Sequence, residues 1–246
     1  MPHLETSPIR LYITLPNKDN SVLSGQFGRS NYVVNLAETL SFPGGAWECF
    51  LLSASIPYVW RNVTESNNSL ILPDKTVRLT PGNYRSAKSL IQAISKLLDG
   101  HADPQLSVDE STMRTTIMVS TDHSIGGPLL QLLGFPAGKL LKKGTHVSPN
   151  LIDITAGIHS LLVYVRIIEQ TNVGSYQAPL LATIPLGDAV PGDIIQWTAK
   201  GPSHETHKLN TRSFGGIEVD IRSNLRTGLD FQNFDANIRI GIHKSI

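Results

Sequence analysis

Apolar residues recur along this chain mostly at every second position. Ile9, Leu11, Ile13 and Leu15 alternate with Arg10, Tyr12 and Thr14, which puts the aliphatic set on one face of a strand that stops at Pro16. Residues 17–30, mostly polar with two glycines, read as an exposed loop. Residues 32–36 and 47–56 read as the next strands, parted by the Pro43-Gly44-Gly45 turn. Further strands are expected at 76–79, 113–120, 160–168, 180–184, 194–198, 217–221 and 237–242, nearly all rich in Val, Ile and Thr. Residues 47–56 are apolar on both faces, the mark of a strand covered on both sides.

Only 86–98 carries a strong helical period. Leu90, Ile91, Ile94, Leu97 and Leu98 share one face, Ser86 can cap the start and Gly100 can follow the end. A shorter helical turn is expected at 128–133, closing at Gly134. Many strands, few helices and no βαβ alternation exclude a doubly wound nucleotide-binding sheet and predict an all-β sandwich. No repeat, charge block or linker interrupts the pattern, so residues 1–246 are expected to form one domain, with 1–8 a flexible N-terminal arm.

Composition sharpens this picture. A formal charge of +1 gives no global field to draw nucleic acid or an anionic membrane. The charged fraction is 17%, against about 25% in ordinary domains, so part of the surface is expected to face protein instead of water. No apolar run approaches the ~20 residues of a membrane span, so no membrane insertion is expected. One cysteine excludes an internal disulfide, and the start MPHLETSPIR lacks the apolar stretch of a secretory signal, which together suggest a protein made inside a cell. The sequons at Asn62 and Asn67 are then read as coincidences of a polar loop.

Candidate chemistry is sparse. Cys49 sits in the doubly apolar strand without a local base, as a small buried hydrophobe would. His204 and His207 are three apart behind Gly201-Pro202, where the zinc-protease pattern needs four on a helix, so they read as loop residues and not as a metal site. The run from Gly134 to Lys139 has three residues between its glycines, not four, and Leu140 after the lysine, so it is no phosphate loop. Lys139, Lys142 and Lys143 read as a solvated basic spot. No Gly-x-Ser-x-Gly elbow appears. No catalytic, cofactor or metal residue is assigned, and a structural or binding protein is expected over an enzyme.

Four blocks together resemble one family. Tyr32-Val-Val-Asn-Leu with Gly45-Ala-Trp-Glu and Ile56-Pro-Tyr-Val-Trp-Arg-Asn-Val63 is similar to the N-terminal signature of the penton, or minor capsid, proteins of Polinton/Maverick elements and adintovirus-like DNA viruses. Thr80-Pro-Gly-Asn-Tyr84 leading into the 86–98 helix, with Leu132-Leu-Gly-Phe135 beyond it, resembles the next element. Ile152-Asp-Ile-Thr-Ala-Gly157 with Ser160-Leu-Leu-Val-Tyr164 resembles the third, and Phe214-Gly-Gly-Ile-Glu-Val-Asp-Ile221 the fourth. The resemblance implies a single jelly roll that forms homo-pentamers at the fivefold vertices of an icosahedral virion, beside a double jelly-roll major capsid protein. The C-terminal 237–243 departs from the family in lacking an aromatic ending.

For such a vertex protein, Tyr58, Trp60 and Arg61 after Pro57, and Leu180, Leu181 and Ile184 in an uncharged stretch, are the expected interface residues. Tyr58 and Trp60 could equally close the end of the core. A jelly-roll carbohydrate- or receptor-binding module is the alternative function, and a hydrolase with a site assembled from distant residues a third.

Overall fold

The computed structural model describes residues 10–17, 30–99, 103–199 and 205–245. The expected arm at 1–8, Gly100, His204 and positions 18–29 of the first loop lie outside the described residues. Contacts divide the chain into two compact units. Met1–Val59, Ile158–Ala189 and Asp193–Ile246 form one; Trp60–Gly157 with Val190–Gly192 forms the other.

Eight strands form the two main sheets of the first unit: β1 Arg10–Pro16, β2 Asn31–Ser41, β3 Trp47–Pro57, β4 Ser160–Val165, β5 Leu180–Pro185, β6 Ile194–Thr198, β7 Ser213–Ser223 and β8 Asn237–Lys244. One sheet has the order β1-β8-β3-β6 and the other β5-β4-β7-β2, all antiparallel. First pairs with last, second with seventh, third with sixth and fourth with fifth. That nesting is a jelly roll.

The core follows from alternation. Ile13 and Leu15 of β1, Ile238, Ile240 and Ile242 of β8, Leu161, Val163 and Val165 of β4, and Ile217, Val219 and Ile221 of β7 are all buried. The Tyr32 hydroxyl donates to the Leu15 carbonyl at 3.0 Å, tying the two sheets together through a buried bond. Burial raises the Tyr32 phenol above its ordinary value.

The two-sided apolar pattern of β3 has a local cause. Arg239 and Ile240 of β8 face Ser53 and Leu51, so Leu52 is an extra residue and the strand bulges there. Cys49 and Leu51 are buried before the bulge, Ala54 and Ile56 after it. Phe50 lies on the opposite face, directly across from Gly241, and a Cβ at 241 would overlap its ring. Phe42, Trp47 and Phe214 cluster at the β2–β3 turn, with ring centroids 5.1 and 5.3 Å from Phe42.

In the second unit, helix α1 (Ala87–Leu97) forms where the period predicts it. Ser86 caps it and Ser89 caps back, each at 3.1 Å, while Leu90, Ile91 and Ile94 enter the core. It packs on Gln105–Asp109, part of a three-stranded sheet with Arg114–Val119 and Gly144–Val147. The turn α2 (Leu129–Leu132) closes at Gly134, whose φ is +86° and whose missing Cβ makes room for the Asn150 carbonyl.

Asn62 gathers three of the sequence blocks. Its amide donates to the carbonyls of Tyr84 at 2.8 Å and Ile154 at 2.6 Å, and its oxygen accepts the Tyr84 N–H at 2.9 Å. Asn67 in turn donates to the Asn62 carbonyl at 3.0 Å. The first sequon is therefore a buried structural clamp. Asp153 serves the third block similarly, accepting from the N–H groups of Thr155 and Gly157 at 2.8 and 2.7 Å.

Two outcomes follow. Replacing Asn62 by Ala strands two part-buried carbonyls and one N–H, and should cost about 1–3 kcal/mol in denaturant titrations; no measurable loss would show the clamp to be idle. Gly241→Ala should cost about 1–3 kcal/mol through overpacking against Phe50. In the Phe50→Ala background the same glycine substitution should cost clearly less, whereas additive losses would mean that the two positions do not touch.

Candidate functional site

Burial sorts the expected interface residues. Tyr58, Trp60, Leu181 and Ile184 are at most 4% exposed, Leu180 is half-buried and Arg61 is exposed. For Tyr58 and Trp60 the core-closing alternative matches this placement. Within the single chain Arg61 and Leu180 are the two of the six that present side-chain surface. The sequence alone does not separate the two readings, because an apolar loop and an apolar interface have the same composition.

The backbone around Leu180 offers something the side chains do not. β5 is an outer strand of its sheet, bounded by Pro179 and Pro185, and no charged residue lies between Gln177 and Pro185. Exposed sheet edges are normally guarded by charge, bulges or cover. Here the strand is irregular between Leu180 and Ala182, and the Leu181 carbonyl is met by His207; beyond that point Ala182 is half-buried and Thr183 exposed, so the remaining edge is short and neutral.

The groups considered for chemistry have structural settings. Cys49 is fully buried, and burial pushes its thiol up to about 12. His207 is not in a loop: with Lys208 it forms a two-residue strand against Cys49 and Glu48 of β3, and its Nε2 lies 3.1 Å from the Leu181 carbonyl. Alternation was invisible in so short a segment. Glu48 takes a hydrogen bond from Ser245 at 3.0 Å and lies 3.3 Å from His243. Burial opposes its charge, yet these bonds and one from Thr206 hold the carboxyl below its ordinary value. Serine and histidine thus both grip the carboxylate, the arrangement of a tie holding the chain end to β3. Lys143 pairs with Asp122 at 3.1 Å on the surface, as a solvated loop does. Among the described residues no group of three or more His, Cys, Asp and Glu is placed to hold a metal ion, and no helix is long and apolar enough to cross a membrane.

Polar chemistry is concentrated on the outer face of the second sheet. Glu218, Asp220 and Arg222 alternate along β7 with the buried Val219 and Ile221. Arg166 pairs with Glu218 at 3.0 Å, and Arg222 with Asp220 at 2.7 Å. A hairpin of Thr171–Val173 and Tyr176–Ala178 lies here, with the Tyr176 hydroxyl 2.6 Å from that of Tyr164. Burial, and then the Tyr176 bond, raise the Tyr164 phenol above its ordinary value. The Arg226 guanidinium stands 4.0 Å over the Tyr176 ring. Beyond it opens a groove of about 1030 Å³ lined by Asn31, Asp220, Arg222, Arg226, Asp230 and Gln232, among others. Sequence reading missed this site because its residues are far apart in the chain; the alternating charges of β7 were the available signal.

Comparison with known proteins bears on the whole chain. No family model matches the sequence, and no curated protein does. Among solved structures, the fold is similar to that of the mavirus penton protein, with a TM-score of 0.55 and 9% identity over 96% of this chain and 100% of that one. It is also similar to a chain in the structure of the Sputnik virophage, with a TM-score of 0.54 and 11% identity over 97% of this chain and 98% of that one. At such identity the likeness is one of fold.

The setting of Cys49 gives a direct outcome. A bulky thiol reagent at neutral pH should leave the native protein unlabelled and react fully on unfolding; rapid native labelling would mean the thiol is misplaced. Because the folded value is raised, the unfolded chain loses this proton first between 9.0 and about 12, so the thiol's contribution to stability should fall as pH rises through that window. A Cys49→Ala variant should show a shallower decline there.

Proposed function

We propose that this chain is the vertex capsid protein, the penton, of an icosahedral double-stranded DNA virus. The observation that carries the reading is the nested order β1-β8-β3-β6 over β5-β4-β7-β2 with a second unit inserted between β3 and β4, in a chain that matches the mavirus penton protein over that protein's full length. A full-length match favours a capsid protein over a separate carbohydrate-binding module. The sequence blocks at 32–63, 80–84, 152–164 and 214–221 support a Polinton or adintovirus-like origin. Both units act together as one capsid subunit in this reading, without catalysis, and the subunit sits at the vertex of a virion assembled in the host cell beside a double jelly-roll major capsid protein.

Fivefold assembly is part of the proposal. A head-to-tail contact between identical subunits must close into a ring or grow into a filament. The neutral β5 edge is the surface best suited to such a contact, with Leu180 at its margin and Arg61 as a second candidate contact; the number five comes from the resemblance to pentons.

Native mass spectrometry of the protein, alone and mixed with its major capsid protein, tests this. A ring of five 26.8 kDa chains has a mass of about 134 kDa. Thr183→Lys, on the exposed side of β5, should abolish the ring while leaving the melting temperature within about 2 °C. A stable trimer, or density for this chain away from the fivefold axes of a particle, would overturn the proposal.

A further inference from the structure

The groove beside β7 is bordered by backbone that ordinary side chains avoid. Five non-glycine residues among those described have positive φ, and three of them line this one groove: Arg226 at +63°, Gln232 at +49° and Asn233 at +65°. Asparagine tolerates the left-handed region; arginine and glutamine do so rarely.

Each belongs to a tight turn in which glycine would serve the backbone better. In the loop after β7 the Arg226 N–H bonds to the Ser223 carbonyl at 2.8 Å and the Ser223 N–H to the Thr227 carbonyl at 3.0 Å, which fixes the left-handed residue at 226. In the next turn Phe234 N–H bonds to the Phe231 carbonyl at 2.8 Å across Gln232 and Asn233, the positive-φ pair of a type I′ turn, where Asn-Gly is preferred. Strained residues of this kind gather where side chains have a task.

The side chains held there form a defined set. Arg222 is engaged by Asp220, but among the described residues no carboxylate pairs with Arg226, whose guanidinium rests on the Tyr176 ring and lines the groove. Asp230 gives one oxygen to the Gln232 N–H at 2.9 Å, and among the described residues its other oxygen takes no hydrogen bond. Asn31 and Asn233 add amides, and Leu229 an apolar wall. A cation that no carboxylate of the described residues pairs with, beside a carboxylate and two amides, suits a ligand carrying both an anionic carboxylate and many hydroxyls. Two carboxylates in the groove and a chain charge of only +1 disfavour a nucleic-acid backbone.

We propose that this groove is a binding site for acidic saccharides, with Arg226 taking the sugar carboxylate and Asp230, Asn31 and Asn233 taking hydroxyls. The site lies within the first unit and does not depend on the vertex role: a protein that fails to form rings can still bind sugar, and the reverse.

The test is titration of the full chain with sialyllactose and a glucuronate-bearing disaccharide, each against its neutral counterpart, monitored by amide chemical shifts. Binding of at least one acidic sugar, with shifts centred on residues 220–233 and at least tenfold preference over the neutral form, is the expected result. Arg226→Gly relieves the left-handed turn, so it should fold as well as the wild type yet bind at least tenfold more weakly, while Arg226→Lys retains part of the affinity. No binding to either acidic sugar at millimolar concentration, equal binding of the neutral forms, shifts mapping elsewhere, preferential binding of an acidic peptide, or an unaffected Arg226→Gly variant would each overturn the proposal.

Discussion

The fold depends on the last strand filling the gap between the first and third. β8 is bonded on one side to β1 and on the other to β3, and its Ile238, Ile240 and Ile242 are fully buried. Without it, β1 has no partner and the β3–β6 pair is left with an open edge in the middle of a sheet. The other nested pairs are inner turns of the same wrapping, so the first sheet is complete only once residues near the chain end are in place. Such pairing is dominated by long sequence separations, which makes closure slow and cooperative compared with local hairpins. Gly241 is the cost of that central position: with Phe50 lying across the strand, no side chain fits opposite it.

Alternation made most of this legible. The strands at 10–16, 47–57, 180–185 and 194–198 appear within a residue or two of where period two places them, and the capped helix at 87–97 is the only long helical element among the described residues. Six short strands escaped notice, including Ser69–Ile71 and His207–Lys208, because two to five residues carry too little pattern to separate strand from loop. The C-terminal strand lacks an aromatic ending and still occupies the centre of its sheet, since alternate isoleucines suffice where both neighbours are strands. Bulges were also unreadable. The flip of the buried face within β3 looked like a strand covered on both sides throughout, though for Phe50 that reading holds.

The site residues were harder to read for a different reason. Tyr58, Trp60, Leu181 and Ile184 have the composition of interface anchors, but composition does not say which side of the molecular surface an apolar side chain takes. What sets β5 apart is its position at the end of a sheet combined with missing charge, and position is a property of topology. The groove is similar. Its residues come from the start of β2, the outer face of β7 and the turns that follow, and only the fold brings Asn31, Asp220 and Arg226 to one place.

The low charged fraction acquires a location in this light. Charge is not thinned evenly over the second sheet: Arg166, Glu218, Asp220 and Arg222 crowd its outer face in matched pairs, while the β5 edge of the same sheet carries none from Gln177 to Pro185. A surface kept neutral only to save charged residues would show no such contrast. Pairing cations with anions on one face limits the field that face exerts on its surroundings, and an uncharged edge removes the repulsion and desolvation that would otherwise oppose a second backbone coming alongside. The left-handed Arg226 stands outside that pairing. Among the described residues its cation meets an aromatic ring instead of a carboxylate, so it adds charge to that face without entering the matched pairs of the sheet that supports it.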